Sequence, residues 1–249
     1  MLHSNLRIAR AAALTVFALT AGASLGGCSA ETGTTVTDAE GVESLEFALL
    51  PAGCTALGAT INSHTCSHGQ YGPYGSVTAS SNPNFSGSSP NFSGIHRYFT
   101  VTLPYNSGLG KYVGTVKFTP ANDDDHAIYV HPSVTVSVKN KSGTVVSSQL
   151  TSTFSGCSYL SGYAVHELKK STSFAPYRIT LEATTATVYV ALEEIKPMRE
   201  RWYPDVDGDT WGPLSPSELT ACTPSAGFVT KQSGDCNDNN ASIYPGNGC

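Results

Sequence analysis

Hydrophobic and polar residues alternate with a period of two along a series of short segments that begins near Arg97. This alternation is typical of half-buried β-strands, in which successive side chains point to opposite faces of a sheet. The segments end at prolines or at polar turns such as Lys139–Gly143. Strands are therefore predicted over residues 98–103, 112–118, 127–130, 134–138, 144–147, 163–168, 177–181 and 187–192.

These short strands, with no amphipathic helical pattern between them, predict an all-β fold. Two antiparallel sheets stacked on their apolar faces, a β-sandwich, satisfy such a pattern over residues 51–196. Residues 55–95 are loop-rich, and the pentapeptide Pro83–Gly87 recurs as Pro90–Gly94. We interpret this repeat as a local duplication in a loop, with Phe85 and Phe92 packed on the core.

The first 27 residues have the pattern of an export signal. Met1–Arg10 carries two arginines and no acidic residue, and the uncharged stretch that follows is shorter than the roughly 20 residues of a membrane-spanning helix. The stretch ends in Leu25-Gly26-Gly27-Cys28, which resembles the lipobox of bacterial lipoproteins. The alternative is an ordinary secretory signal in which Cys28 carries no lipid.

The lipobox resemblance implies cleavage before Cys28 and lipidation of that cysteine. The mature protein would then be extracytoplasmic and held to a membrane by its lipid, at the outer membrane if the envelope is Gram-negative. Residues 28–50 are polar and acidic and are predicted to form a tether between lipid and domain.

The charge of the chain excludes one class of partner. The formal net charge is −5 and no basic stripe is present, so a nucleic-acid-binding protein is not expected. We expect an unidentified protein or polysaccharide at the cell surface as the partner. The charge is concentrated in Trp202–Cys249, where six carboxylates face a single lysine.

The chain contains seven cysteines, and assigning Cys28 to lipid leaves six. An even number in an exported chain predicts three disulfides, although the sequence does not fix their pairing. Cys222–Cys236 is the best-supported pair, because both residues lie in one short segment. For the remaining cysteines the sequence leaves the pairing open, with Cys54–Cys66 and Cys157–Cys249 as one arrangement.

Residues 197–249 are predicted to be a small, irregular, calcium-binding tail. Asp205, Asp207 and Asp209 alternate around Gly208, and such a series of carboxylates can surround a hard cation such as Ca²⁺. The loop is not an EF-hand, because its twelfth position is Pro216 and no helices flank it.

Additional oxygen ligands for this loop are expected from the chain that follows it. We predict the backbone carbonyl of Trp211 and the carboxylates of Asp235 and Asp238, held in place by Cys222–Cys236.

The ordered motifs Tyr203–Gly212, Ala221–Pro224, Gly227–Val229, Asp235–Asp238 and Tyr244–Gly246 closely resemble the MopE-type metal-binding repeat of bacterial surface proteins. That repeat is similar to the calcium-binding thrombospondin type 3 repeats. The resemblance covers residues 202–249 and implies a cation-binding extracytoplasmic module that is not an enzyme. Carboxylate oxygens favour Ca²⁺ over copper at this site. The alternative is a solvated acidic turn that binds no ion.

A second metal site is suggested by His64-Thr65-Cys66-Ser67-His68. In an extended segment, the side chains of His64, Cys66 and His68 would point the same way, and imidazole with thiolate is a ligand set for Zn²⁺ or copper. Either the Cys66 thiolate binds the ion, or the two histidines flank a disulfide. Candidates to complete the site are His96, His126, His131 and His166.

No nucleophile elbow, zinc-protease helix, phosphate-binding loop or dinucleotide fingerprint is present in the sequence. The protein is therefore predicted to be a non-catalytic binding or structural module of the cell envelope. The alternatives are a copper- or zinc-binding or scavenging protein that uses His64, Cys66 and His68, and an envelope hydrolase. Asp123–His126, between two predicted strands, is expected to be a solvated loop, with a cation site as the alternative.

Overall fold

The computed structural model describes Leu50 and residues 53–249. The predicted signal, the lipidation site Cys28 and nearly all of the predicted tether lie outside these described residues. The described residues belong to one compact unit spanning residues 46–249. They include no helix with the length and apolar character needed to cross a bilayer.

The described chain is composed mainly of strands, with one helix near its beginning. In chain order its elements are α1 (Ala59–Tyr71), β1 (Tyr74–Thr78), β2 (Tyr98–Thr102), β3 (Tyr105–Asn106), β4 (Lys111–Phe118), β5 (Asp124–Val130), β6 (Thr135–Lys139), β7 (Leu150–Thr153), β8 (Gly162–Leu168), β9 (Tyr177–Ala183), β10 (Thr187–Glu194), a 3₁₀ turn (Lys196–Met198), β11 (Glu200–Pro204), β12 (Trp211–Gly212), β13 (Glu218–Thr220), β14 (Phe228–Thr230) and β15 (Gln232–Ser233).

The predicted all-β sandwich class is confirmed. A six-stranded sheet has the order β1-β2-β10-β5-β8-β7, and a four-stranded sheet has the order β3-β4-β9-β6. Pairing within them is antiparallel except between β1 and β2, which run parallel. One core contains buried apolar side chains from both sheets, among them Ile128, Leu192 and Ile179. Burying each such side chain contributes about 1.5–3 kcal/mol.

Helix α1 corrects the expectation that residues 55–95 are loops without a helix. Its buried side chains are Ile61, Asn62, Thr65 and His68, which follow helical spacing. Because only one of the four is apolar, the stripe gives no hydrophobic periodicity from which a helix could be predicted. The helix lies beside a second core that includes Ile61, Tyr129 and Ala191.

The repeated pentapeptides occupy different environments. Phe92 is buried and its ring lies 4.9 Å from that of Phe99, as expected for a residue on the core. Phe85 is only half-buried, with the Lys117 ammonium 4.4 Å from its ring centre. Of the predicted strands, residues 144–147 form no strand and contribute a single bridge between Val145 and Lys139.

The acidic stretch Asp123–His126 is not a solvated loop, because β5 begins at Asp124 and the side chains of Asp124 and Asp125 are buried. The backbone amides of Asp125 and Lys196 donate to the Asp124 carboxylate. Burial nevertheless raises the pKa of Asp124 to about 6. The prediction failed because carboxylates satisfied by backbone donors can enter a strand that their polarity alone would exclude.

The predicted Cys222–Cys236 bond is wrong, and the arrangement suggested for the other four cysteines does not occur either. The structure pairs Cys54 with Cys222, Cys66 with Cys157, and Cys236 with Cys249. Proximity in sequence favoured Cys222–Cys236, but chain segments far apart in sequence are brought together by the fold.

Cys54–Cys222 joins the tail to the segment that leads into α1. The backbone amide of Gly58 donates to the Ala221 carbonyl at 2.7 Å, and the amide of Thr223 donates to the Ala56 carbonyl at 3.1 Å. The Lys231 ammonium also donates to the Thr60 hydroxyl at 3.3 Å. The tail is therefore docked on the beginning of the helix.

Candidate metal centres

Helix α1 carries two of the predicted ligands on one face. The interpretation of His64–His68 as an extended segment is wrong, since the whole segment is helical. Residues four apart lie on the same side of a helix, whereas the residue midway between them points elsewhere. His64 and His68 therefore lie together, with their ring centres 4.7 Å apart.

Cys66 is not a metal ligand of this group, because its sulfur is bonded to Cys157. Of the two arrangements expected from the sequence, histidines flanking a disulfide is the one observed. The bond ties the middle of α1 to the segment that precedes β8. It thereby restrains the helix that carries the two histidines.

Two residues far away in sequence complete the group. The Nε2 atom of His64 lies 3.4 Å from Nδ1 of His96, and Nε2 of His68 lies 3.3 Å from Oε1 of Glu193. Oε2 of Glu193 lies 2.5 Å from Nδ1 of His96 and 3.9 Å from Nε2 of His64. One potential ligand atom from each of the four residues fits within 4.8 Å of the other three.

Alternation along β10 explains why Glu193 points at the helix. Val190 and Leu192 face the core between the two sheets, whereas Tyr189 and Ala191 belong to the second core beside α1. Glu193 shares the face of Tyr189 and Ala191 by the period of two. Sequence reasoning missed Glu193, although a carboxylate at an inward position of a strand was the signal that could have found it.

His96 is held by its backbone in the connection before β2. Its φ of 52° lies in the left-handed region, which is uncommon for a residue other than glycine. Its amide donates to the Leu192 carbonyl at 2.9 Å, beside Glu193. Outliers of this kind cluster at functional sites, where the surrounding structure maintains the unfavourable conformation.

Burial determines the electrostatics of this group. The Glu193 side chain is fully buried, and neither carboxylate oxygen accepts a hydrogen bond of good geometry within the described chain. Burial raises the pKa of Glu193 to about 8. Burial also lowers the pKa of His64 and of His96, with a further contribution from the neighbouring histidines. Near neutral pH in the metal-free group, the imidazoles of His64 and His96 are therefore neutral and the Glu193 carboxyl carries a proton.

The other histidines considered from the sequence do not join this group. His126 and His166 are buried cross-strand partners on β5 and β8. Burial lowers the pKa of each of these two histidines. His131 is exposed, and its Nδ1 lies 2.7 Å from the Ser133 hydroxyl.

The acidic tail residues also lie close together. Two overlapping carboxylate groups have oxygens within 4.8 Å of one another, and Asp207 belongs to both; they comprise Asp205, Asp207 and Asp209, and Asp207, Asp235 and Asp238. The two parts of the tail meet because β12 pairs in parallel with β15. The amides of Gly234 and Asp235 then donate to the Gly212 carbonyl.

The backbone of Gly212 passes close to that of Pro204, which allows the two parts of the tail to come together. A Cβ atom at Gly212 would lie 2.1 Å from the Pro204 carbonyl oxygen, so a side chain is excluded there. The approach brings the end of β11, just before Asp205, against β12. The carboxylates therefore meet without Cys222–Cys236, the bond predicted to bring them together.

In three of the tail carboxylates, only one of the two oxygens accepts a hydrogen bond within the described chain. Oδ1 of Asp207 accepts from the amide of Asp209, Oδ1 of Asp209 from Trp211, and Oδ1 of Asp235 from Asn237. The Oδ2 atoms of the same three aspartates are buried and have no hydrogen-bond partner in the described chain. Partial burial raises the pKa of Asp209, and the charges of Asp207 and Asp235 raise it further.

The two outer aspartates are bonded to the loop backbone. Asp205 accepts from the amides of Gly208 and Thr210, and Asp238 accepts from the amide of Val206 at 3.0 Å. The use of the Trp211 carbonyl as a ligand stays a prediction.

No protein-family model matches this chain, and a search of curated proteins finds no match either. The resemblances to the lipobox and to the MopE-type repeat therefore stay predictions from the quoted motifs.

Proposed function

We propose that this protein is a non-catalytic, lipid-anchored component of the bacterial cell envelope whose C-terminal tail binds Ca²⁺. The buried, unpartnered Oδ2 atoms of Asp207, Asp209 and Asp235 carry this proposal. Like charges that are buried together without hydrogen bonds are costly, and a cation between them removes the cost.

The chemistry of the donors favours Ca²⁺ over other ions. The tail offers carboxylate oxygens from five aspartates, and we propose the Trp211 carbonyl as a sixth donor. Ca²⁺ accepts six to eight oxygens in a flexible arrangement at about 2.3–2.6 Å, whereas Mg²⁺ requires a near-ideal octahedron. Copper favours nitrogen and sulfur donors, which this group lacks. The proposed ligands are Asp205, Asp207, Asp209, Trp211, Asp235 and Asp238.

Three disulfides among the described residues support an oxidising, extracytoplasmic location, because such bonds rarely persist in the bacterial cytosol. The lipobox motif supports attachment to a membrane through Cys28. In this proposal the sandwich is a binding or structural module for a protein or polysaccharide at the cell surface.

Calcium is expected to stabilise the mature chain against heat. Ca²⁺ at about one hundred times its dissociation constant adds about 2.7 kcal/mol to the free energy of unfolding. We expect Asp207→Asn to lower the Ca²⁺ affinity at least tenfold, because Asp207 belongs to both carboxylate groups. Calorimetric titration and melting curves in EGTA and in Ca²⁺ measure both effects.

The melting curves in EGTA separate a lost ligand from a damaged fold. Without metal, Asp207→Asn removes a repulsive charge and is expected to melt at or above the wild-type temperature. Glu182→Gln is the charge-matched control, because Glu182 is paired with Lys111 on the sandwich. A wild-type chain that shows no heat and no melting shift with Ca²⁺ contradicts the proposal.

A further inference from the structure

We propose that His64, His68, His96 and Glu193 form a second centre, which binds one divalent transition-metal ion and suits Zn²⁺. This centre goes beyond the calcium-binding tail and shares no residue with it. Three imidazoles with one carboxylate are a donor set that Zn²⁺ takes in proteins, whereas Ca²⁺ takes oxygen donors.

Two separations between the donor atoms match the edge of a tetrahedral zinc site. With metal–nitrogen distances of about 2.0–2.1 Å, the edge of a regular tetrahedron is about 3.3–3.4 Å. The separation of His64 Nε2 from His96 Nδ1 is 3.4 Å, and that of His68 Nε2 from Glu193 Oε1 is 3.3 Å.

The contact between Nδ1 of His68 and the Gly72 carbonyl orients the ring so that Nε2 can bind a metal. Nδ1 of His68 lies 3.0 Å from the Gly72 carbonyl, which can only accept, so that nitrogen carries the hydrogen. Nε2, which is buried and has no hydrogen-bond partner among the described residues, is then the ring nitrogen that can bind a metal. A backbone carbonyl on the other ring nitrogen is the usual way in which a metal-binding histidine is oriented.

Glu193 supplies the charge that such an ion needs. Its side chain is fully buried, and neither of its oxygens accepts a hydrogen bond of normal geometry from the described residues, although the neighbouring Thr65 hydroxyl lowers its pKa slightly against the effect of burial. A carboxylate in that position requires a proton or a cation as its neighbour. Imidazole nitrogens on its open side mark where a cation would lie.

The centre is partly open to solvent, so an ion can enter it. Its ligands are already held in place by the fold. The side chains of His64 and His96 are 37% and 36% exposed, whereas His68 and Glu193 lie beneath them. Cys66–Cys157 restrains the helix, and the Leu192 carbonyl holds the backbone of His96. Four protein ligands are typical of structural zinc sites, whereas catalytic sites retain an open position. The centre is therefore one for metal binding rather than hydrolysis.

Zinc titration of the mature chain in buffer saturated with Ca²⁺ tests this centre. We expect one Zn²⁺ per chain, with a rise in melting temperature. Replacing a ligand, by His68→Ala or by Glu193→Gln, is expected to weaken Zn²⁺ binding by about 100-fold or more, since even supporting residues contribute 10–100-fold. His131→Ala is the control, because His131 is exposed and lies outside the group. Its affinity should equal that of the wild type.

Two further measurements distinguish the centre from a merely structural cluster. Co²⁺ in place of Zn²⁺ should give the intense visible absorption of a tetrahedral ion, and Glu193→Gln should reduce it. If His68→Ala or Glu193→Gln fails to fold, His64→Ala is measured in its place, because His64 is only half-buried. Asp207→Asn should retain full Zn²⁺ affinity, so failure of the tail proposal is recognised separately. Absence of stoichiometric Zn²⁺ binding in the wild type, or wild-type affinity in the folded ligand variants, overturns the inference.

Discussion

Raising the pH of the metal-free protein from about 5 to about 9 is expected to cost the wild type about 4 kcal/mol of stability that Glu193→Gln does not lose. The pKa of Glu193 is raised from an ordinary 4.5 to about 8 by burial. A raised carboxyl pKa means that the folded state holds the proton more tightly than the unfolded state. The stabilisation is complete below pH 4.5 and is lost as the pH rises through 8.

The difference between wild type and Glu193→Gln isolates this one group. His64, His68 and His96 face Glu193 in both proteins. The buried His126 and His166, whose pKa values are lowered, destabilise both proteins as the pH falls below 6.5. Denaturant unfolding at the two pH values in a chelator gives the four free energies required. Parallel pH profiles for the two proteins contradict the prediction.

Zinc is expected to reverse this pH dependence. Metal binding requires deprotonated ligands, so the Zn²⁺-induced stabilisation should increase with pH in the wild type. The increase should be smaller in Glu193→Gln, which binds Zn²⁺ more weakly and lacks the carboxyl whose proton the metal displaces.

Replacing Cys54 and Cys222 together by alanine is expected to lower the free energy of unfolding by about 4 kcal/mol. The bond joins residues separated by 168 positions and restrains a large part of the unfolded chain. It also holds the tail against the segment that leads into α1. Denaturant unfolding under non-reducing conditions measures the loss.

The double replacement of Cys236 and Cys249 is the matched control. That bond spans only 13 positions, and both cysteines are exposed, so a smaller loss is expected. Peptide mapping without reduction should link Cys222 to Cys54. A Cys222–Cys236 peptide, or equal losses in the two variants, contradicts the prediction.

Local patterns were sufficient to predict the sandwich. Strands such as β4 and β9 were predicted to within about two residues at each end because alternation along a half-buried strand is visible in the sequence. The same reasoning failed at α1, whose buried face is largely polar. It also failed at Asp124 and Asp125, which are accommodated in β5 by donors from other parts of the chain.

The two candidate metal centres differ in how much of each was predictable. Asp205, Asp207 and Asp209 are close in sequence, and their alternation predicted one carboxylate group. Asp235 and Asp238 lie about 30 positions further on, and the structure brings them to Asp207 without the disulfide that was expected to do so. His64 and His68 were found by type but through the wrong geometry. Glu193 was not found, because its neighbours lie about 100 or more positions away and no spacing links them.

The sequence by itself determined the strand pattern and the run of carboxylates, because each depends on residues near one another along the chain, and it showed the six cysteines that follow Cys28. The tertiary structure decided which cysteines bond, which face of α1 is buried and which carboxylate faces three imidazoles. Those outcomes depend on how the sheets pack and on which segments thereby become neighbours. A local pattern constrains a strand or a turn, but contacts between distant segments are fixed only when the whole chain minimises its exposed apolar surface.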